Sequence, residues 1–304
     1  MLRRSRAIGR TTPTTPGTDD ASVLGTRHVD AVLAWGVPQL RELPWRRTRD
    51  PWAVLISEVM LQQTQIVRVI PKWVAFLEQF PTPAACAEAE LGDVLRLWQG
   101  LGYPRRARSL HDAAREIQRL GTFPDTLEGL QALPGVGAYT ARAVLAFAFE
   151  IDAAVVDTNI ARVYARVGGQ RLTAGQVQAA ADSALPIGDS WRWNQCLMDL
   201  GATLCRPAPQ CDECPLRTVC AWRRTGGDLG TDPAIGSAGV SRAQSRFEGS
   251  ERQARGRLLK ALTAGAVRLS DTQKVMAHPA SARLVAALCE EGLVRDDGET
   301  LRLP

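Results

Sequence analysis

A mainly helical protein of more than one unit is the fold class that this 304-residue sequence predicts. Three observations carry the prediction. Apolar residues recur at helical spacing from about residue 28 to 204, with no sustained alternation of the strand type. Short breaks such as Pro81-Thr82-Pro83, Gly121-Thr122-Phe123-Pro124 and Gly168-Gly169 interrupt that spacing, as a bundle of short helices requires. A Gly/Ser/Ala-rich stretch at 226–248 then sets off a distinct C-terminal segment.

In chain order, residues 1–27 read as a disordered basic tail, with Arg3, Arg4 and Arg6 at its start, a Thr/Pro/Gly run at 11–18 and no hydrophobic signal core. Pro51 is placed to open a helix over 52–65. Further helices are predicted at 66–79, 91–98, 107–120, 139–149, 158–167, 176–184 and 191–204. Residues 28–225 thus form one domain, 226–248 a linker, and 249–304 a small module. In that module 253–262 and 280–291 read as helices, and 292–295 can pair with 301–303 across Asp297-Gly298, which resembles a winged helix.

A hydrophobic content of 45% beside 23% charged residues is that of a soluble globular chain, and no apolar run approaches the length of a membrane span. A cytoplasmic protein with no membrane partner is the expectation. The net charge of +5 and pI near 9.0 suit a nucleic-acid partner. Arg105, Arg106 and Arg108 follow the turn Gly100-Leu101-Gly102-Tyr103, where they suit phosphates or simply a solvated helix face.

Leu133-Pro134-Gly135-Val136-Gly137 stands immediately before the apolar run 141–149. Two glycines around an apolar residue make a tight turn at a helix N-terminus, which suits either a plain corner between helices or a phosphate oxygen held by backbone N–H groups. Two carboxylates stand in apolar surroundings: Glu58 within 52–61, which suits chemistry or a buried pair with an arginine, and Asp157 after Ala153-Ala154-Val155-Val156, which also suits the N-cap of the helix at 158–167. Burial raises a carboxyl pKa and suits it to act as a general acid. A second carboxylate suits stabilisation of positive charge on a sugar, so the pair fits cleavage of a glycosidic bond. When the leaving group is a nucleobase, its nucleotide must first be flipped out of the duplex.

Cys205, Cys211, Cys214 and Cys220 crowd into sixteen residues. Four thiolates suffice for zinc or a 4Fe-4S cluster, and the single short Cys-x2-Cys pair favours iron–sulfur.

These features come together in one ordered set of motifs. It comprises Leu43-Pro44-Trp45-Arg46, the run 57–65 (SEVMLQQTQ), Trp98-Gln99-Gly100-Leu101-Gly102-Tyr103, Leu133–Gly137 with Tyr139-Thr140-Ala141, Val156-Asp157-Thr158-Asn159, Asn194-Gln195, Met198-Asp199-Leu200-Gly201-Ala202, and the four cysteines. Over residues 28–224 the chain resembles the helix-hairpin-helix DNA glycosylases with an iron–sulfur cluster, and among them the MutY-type adenine glycosylases. The resemblance implies that fold, with an iron–sulfur loop at 205–220.

It also implies that Glu58 protonates adenine at N7 and helps activate water, while Asp157 stabilises the sugar cation, with Tyr139 and Asn159 in support. Trp45, Arg46, Leu61 and Gln195 would form the adenine pocket. Gln63 and Thr64 would lie near the estranged purine, Tyr103 would be the aromatic wedge, and Leu133, Gly135, Val136 and Gly137 would hold the DNA backbone. The cysteines would hold a structural 4Fe-4S cluster. The implied partner is double-stranded DNA containing A:8-oxoguanine or A:G mispairs, bound by a monomer in base excision repair.

Endonuclease III-like relatives carry a strand-cleaving lysine where this chain has Tyr139, so a monofunctional glycosylase is the expectation. The rivals are a mismatch-specific thymine or uracil glycosylase and a non-catalytic iron–sulfur DNA-binding protein. Three features depart from the resemblance. The first cysteine spacer has five residues instead of six, Pro104 replaces a second tyrosine, and 249–304 is too short for the family's C-terminal Nudix-like domain.

Overall fold

The computed structural model describes residues 24–237, 239–240 and 246–304. Most of the expected tail lies outside the described residues. Leu24 is buried, and helix α1 (Thr26–Gly36) follows at once, so the helical pattern begins slightly before residue 28.

Helix α2 (Pro51–Leu61) opens as a proline at its first position dictates, with the Asp50 carboxylate accepting from the Trp52 N–H at 3.1 Å. It stops four residues short of the predicted end. Gln63 takes a left-handed φ of 56°, which no α-helix continues through, and this puts residues 62–64 into a turn. There follow α3 (Ile66–Gln79), α4 (Pro83–Glu88), α5 (Leu91–Trp98), α6 (Arg105–Leu120), α7 (Leu127–Gln131) and α8 (Ala138–Phe147). Neither α4 nor α7 completes two turns, too little for periodicity to register, yet Thr82 and Thr126 cap them in the ordinary way. The series continues with α9 (Thr158–Gly168), α10 (Ala174–Ser183), α11 (Ser190–Thr203) and the single-turn α12 (Ala221–Arg224).

Two cores result. One collects the buried faces of α2 to α8, the other those of α1 and α9 to α12. The chain crosses between them in extended form at 153–156: Ala153 and Val155 enter the first core, Ala154 and Val156 the second. Asn194, buried on α11, holds this crossing like a neighbouring strand. It accepts from the Val155 N–H at 3.0 Å and donates to the Ala153 carbonyl at 2.9 Å.

The C-terminal module comprises α13 (Glu251–Ala264), β1 (Val267–Arg268), α14 (Thr272–Met276), α15 (Ser281–Glu290), β2 (Arg295–Asp296) and β3 (Thr300–Arg302). Its antiparallel sheet has the order β1-β3-β2, with Val267 opposite Leu301 and Arg295 opposite Arg302. The hairpin turns at Asp297-Gly298, where the sequence placed it, whereas β1 and α14 are too short to announce themselves. Leu258, Leu284, Leu288 and Leu301 belong to the first core, so the module is docked on the helical domain. Glu291 reinforces the docking: Arg105 on α6 and Arg255 on α13 both pair with its carboxylate, and Arg108 donates to its carbonyl.

Within the stretch read as a linker, Asp232, Ala234 and Ser237 are buried. The Asp232 carboxylate pairs with the buried Arg166 guanidinium at 2.6 Å, a contact that no composition signal reveals.

Close packing of α9 on α11 positions the segment around Asp157. A Cβ at Gly201 would stand 2.5 Å from the Asn159 Cβ and 2.8 Å from the Asn159 carbonyl oxygen. Gly201→Ala should therefore destabilise the fold by about 1–3 kcal/mol in thermal melts.

Candidate active site

A cavity of about 480 Å³ opens along the seam of the two cores. Each core contributes its own part. From the first come Glu58 on α2, the turn 62–64 and Tyr139 in the first turn of α8; from the second come Asp157 and Asn159 at the start of α9, with Gln195 and Met198 on α11. Trp45, Arg46 and Leu61 complete the wall, so ten of the residues singled out from sequence meet in one pocket.

Glu58 is buried, and the Tyr139 hydroxyl donates to its Oε2 at 2.9 Å. Burial pushes the Glu58 carboxyl up to about 7; the charge of Asp157 adds to this, while the Tyr139 hydrogen bond and Arg46 act the other way. Burial and the same carboxylates hold the Tyr139 phenol well above its usual range, so it stays a donor. Asp157 combines two roles. Its Oδ1 accepts from the Ile160 N–H at 2.7 Å as the N-cap of α9, and its Oδ2 accepts from the Asn159 amide at 2.9 Å. Burial raises its pKa too, against the opposing pull of those hydrogen bonds.

Arg46 contributes less directly than its place in the motif implied. Both its terminal nitrogens bind the buried Asp199 carboxylate, at 2.8 Å each, and Arg41 binds the same group from its backbone and side chain. The Nε–H of Arg46 is buried without an acceptor among the described residues, although the residue lines the cavity. Arg41 was missed by sequence reasoning because its partner is 158 positions away.

Tyr103 lies outside this cavity, on the turn after α5, with a left-handed φ of 48° and an exposed ring. Arg106 neither faces phosphates nor lies in a solvated face, as the sequence had left open. It donates to the Val59 and Gln62 carbonyls at 2.7 and 2.6 Å and to those of Leu101 and Gly102 at 3.1 and 3.2 Å. One guanidinium thereby ties the end of α2 and the turn at Gln63 to the turn carrying Tyr103. Thr64 strengthens the tie by donating to the Leu101 carbonyl at 3.2 Å.

The hairpin joins α7 to α8 at the surface. Gly135 has φ 76° and no room for a Cβ, which would stand 2.5 Å from that of Ser109, while Leu133 and Val136 are buried beneath it. No side chain caps α8, so its first N–H groups are available at the hairpin. Tyr139 sits one residue inside this same terminus.

The four clustered cysteines form no disulfide and line a separate cavity walled by Val163, Leu200, Leu204, Leu216 and Trp222. Arg166 donates to the Cys205 Sγ at 3.4 Å and stacks on Trp222. Arg162 reaches both ways, to the Cys205 carbonyl at 2.5 Å and to Asn159 Oδ1 at 2.8 Å. No described helix is long and apolar enough to cross a membrane.

Comparison with known families places this helical hairpin and its neighbouring pocket in a base-excision class of protein. Residues 56–186 match the HhH-GPD superfamily of base excision DNA repair proteins. The chain is 44% identical over 257 residues to an adenine DNA glycosylase of Mycobacterium tuberculosis, covering 81% of this chain and 82% of that one. It is 41% identical over 217 residues to the human adenine DNA glycosylase, covering 64% of this chain and 39% of the relative. Among solved structures, a thermostable thymine-DNA glycosylase superposes with TM-score 0.60 at 28% identity, over 65% of this chain and 95% of that one. An endonuclease III trapped covalently on DNA superposes with TM-score 0.59 at 25% identity, over 66% and 95%. The chain belongs to the adenine DNA glycosylase family of helix-hairpin-helix repair enzymes.

The Glu58 geometry has a consequence for stability. A carboxyl raised from 4.5 to about 7 on folding holds its proton more tightly in the folded chain, so stability is lost as pH rises between those values and levels off above them. Glu58→Gln removes the penalty. It should stabilise the chain by up to about 3 kcal/mol at pH 8 and by much less below pH 4.5, read from denaturant melts at both pH values.

Proposed function

We propose that this chain excises adenine paired with 8-oxoguanine or guanine in duplex DNA and leaves the strand unbroken. One observation carries the reading: Glu58, buried and held by the Tyr139 hydroxyl, with its carboxyl pushed up to about 7, shares a cavity with Asp157. Their environments suit an acid and an anion respectively. Glu58 gives its proton to adenine N7 as the bond from C1′ to N9 breaks and its electron pair leaves with the base. Asp157, anchored at the positive end of α9, stabilises the sugar cation. A water then adds its oxygen to C1′ and returns a proton to the Glu58 carboxylate, leaving an abasic site.

Tyr139 and Asn159 orient the two carboxylates through the hydrogen bonds already described. Trp45, Leu61 and Gln195 enclose the base, and the Arg46 Nε–H is a donor available to it. Gln63 and Thr64 stand at the partner purine, Tyr103 enters the gap as a wedge, and the hairpin Leu133, Gly135, Val136 and Gly137 offers N–H groups to a phosphate. Strand cleavage through a Schiff base needs an amine in the cavity. None of Lys72, Lys260 and Lys274 lines it.

Cys205, Cys211, Cys214 and Cys220 fit a 4Fe-4S cluster. All four line one cavity, and the single short Cys-x2-Cys pair favours iron–sulfur over zinc. Such a cluster would supply cross-links that fix the loop 205–220 against α9, and the excision itself runs through the carboxylates.

A panel of duplexes pairing adenine, thymine or uracil with each partner tests the substrate. Adenine should be released from A:8-oxoguanine and A:G, with strand breakage only after alkali. Release of thymine or uracil instead, or equal cutting of A:T, would overturn the reading. Glu58→Gln should lower single-turnover excision by about 10²–10⁴-fold while duplex binding persists. The purified chain should be brown with about four irons per molecule; one zinc per chain would refute the cluster.

A further inference from the structure

We propose that the groove between the turn carrying Tyr103 and helix α13 holds the phosphodiester backbone of the strand opposite the flipped adenine. The inference rests on the glycosylase reading and extends it to the C-terminal module. The groove encloses about 450 Å³, and Gln63 lines both it and the catalytic cavity, so the two sites are neighbours separated by that turn.

Its chemistry differs from that of the catalytic cavity. Arg68 from α3 and Arg252, Arg257 and Lys260 from α13 line it, with no carboxylate among the described lining residues. Tyr103 and Phe247 flank it with rings 37% and 56% exposed. Cations interleaved with exposed aromatics and free of acids form a surface suited to a nucleic-acid strand. Arg252 bridges the two walls by donating to the Tyr103 hydroxyl at 3.1 Å, and Arg257 donates to the Met276 carbonyl at 3.2 Å, so the guanidinium groups are already oriented. Arg255, the remaining arginine of α13, pairs with Glu291 and fixes the helix to the domain.

A second observation is independent of charge. Gly256 lies mid-helix on the exposed face, one turn after Arg252 and one turn before Lys260. A Cβ there would meet nothing within 4 Å, and no left-handed φ requires a glycine. Glycine inside a helix costs about 1 kcal/mol relative to alanine, and nothing in the packing offsets that cost. Bare helix backbone between two cations gives a sugar–phosphate chain close approach.

The flipped strand is assigned elsewhere in the proposed reading, to the cavity and the hairpin at 133–137. Gln63 and Tyr103 stand in the gap between the strands, and the groove lies beyond them. Its occupant is therefore the partner strand.

The test measures binding of the full chain to a duplex carrying a non-hydrolysable adenine analogue opposite 8-oxoguanine, followed by fluorescence anisotropy over a range of salt. Lys260→Glu should weaken binding about tenfold and flatten the salt dependence by about one counterion. Gly256→Gln should weaken binding although the variant melts no lower than wild type, which separates the effect from misfolding. Neutral methylphosphonates near the partner purine should abolish the difference between wild type and Lys260→Glu, whereas the same substitutions in the adenine strand should leave it intact. Wild-type affinity in both variants, or coupling to the adenine strand alone, would overturn the proposal. A wild-type chain that excises no adenine would overturn the glycosylase reading instead, and is distinguishable because the binding comparison needs no turnover.

Discussion

Two carboxylates facing one cavity, Glu58 buried and Asp157 half-buried, are the constraint on which this structure depends. Burying a carboxyl group is unfavourable unless it is protonated or hydrogen-bonded, and the two groups meet the demand differently. Burial favours the protonated form of Glu58, which takes one hydrogen bond from Tyr139. Asp157 spends its oxygens on the first turn of α9 and on Asn159. The groups come from different cores, so the cavity exists only while the seam between the cores is closed.

The architecture reads as a set of supports for that seam. Alternation at 153–156 delivers Asp157 from between the cores, with Asn194 as its clamp. On the far side, Asn159 bonds to Arg162, Arg162 to the cysteine loop, and Arg166 to Cys205 and Asp232. The cysteine loop thereby braces the helix whose first residues line the cavity. The buried residues of 232–237 close this brace, so the segment after the loop supports the domain as well as leading to the module.

Arg106 plays the corresponding part for the other wall. Helix ends leave carbonyls without partners, and this guanidinium satisfies those of α2 together with those of the turn after α5. Gln63 and Tyr103, both in left-handed conformations, are held in fixed relation by a single cation. Arg105 and Arg108, its neighbours, turn outward to the module through Glu291. Three arginines that look alike in sequence thus split between two structural tasks, because successive positions of a helix point in different directions.

What the sequence determined by itself is local and chemical. Helical periodicity marked the long helices, Pro51 and Asp157 marked helix starts, Gly135 marked the hairpin, and isolated acids in apolar runs marked Glu58 and Asp157. Each is written within a few residues, where covalent spacing and side-chain type suffice. Tertiary structure decided the rest. It ended α2 at Leu61, tied Arg46 to Asp199, turned Arg106 inward and packed Asp232 beneath the cysteine loop. These outcomes depend on partners tens to more than a hundred residues away, and on burial, which sets the pKa of Glu58 only once both cores are assembled around it.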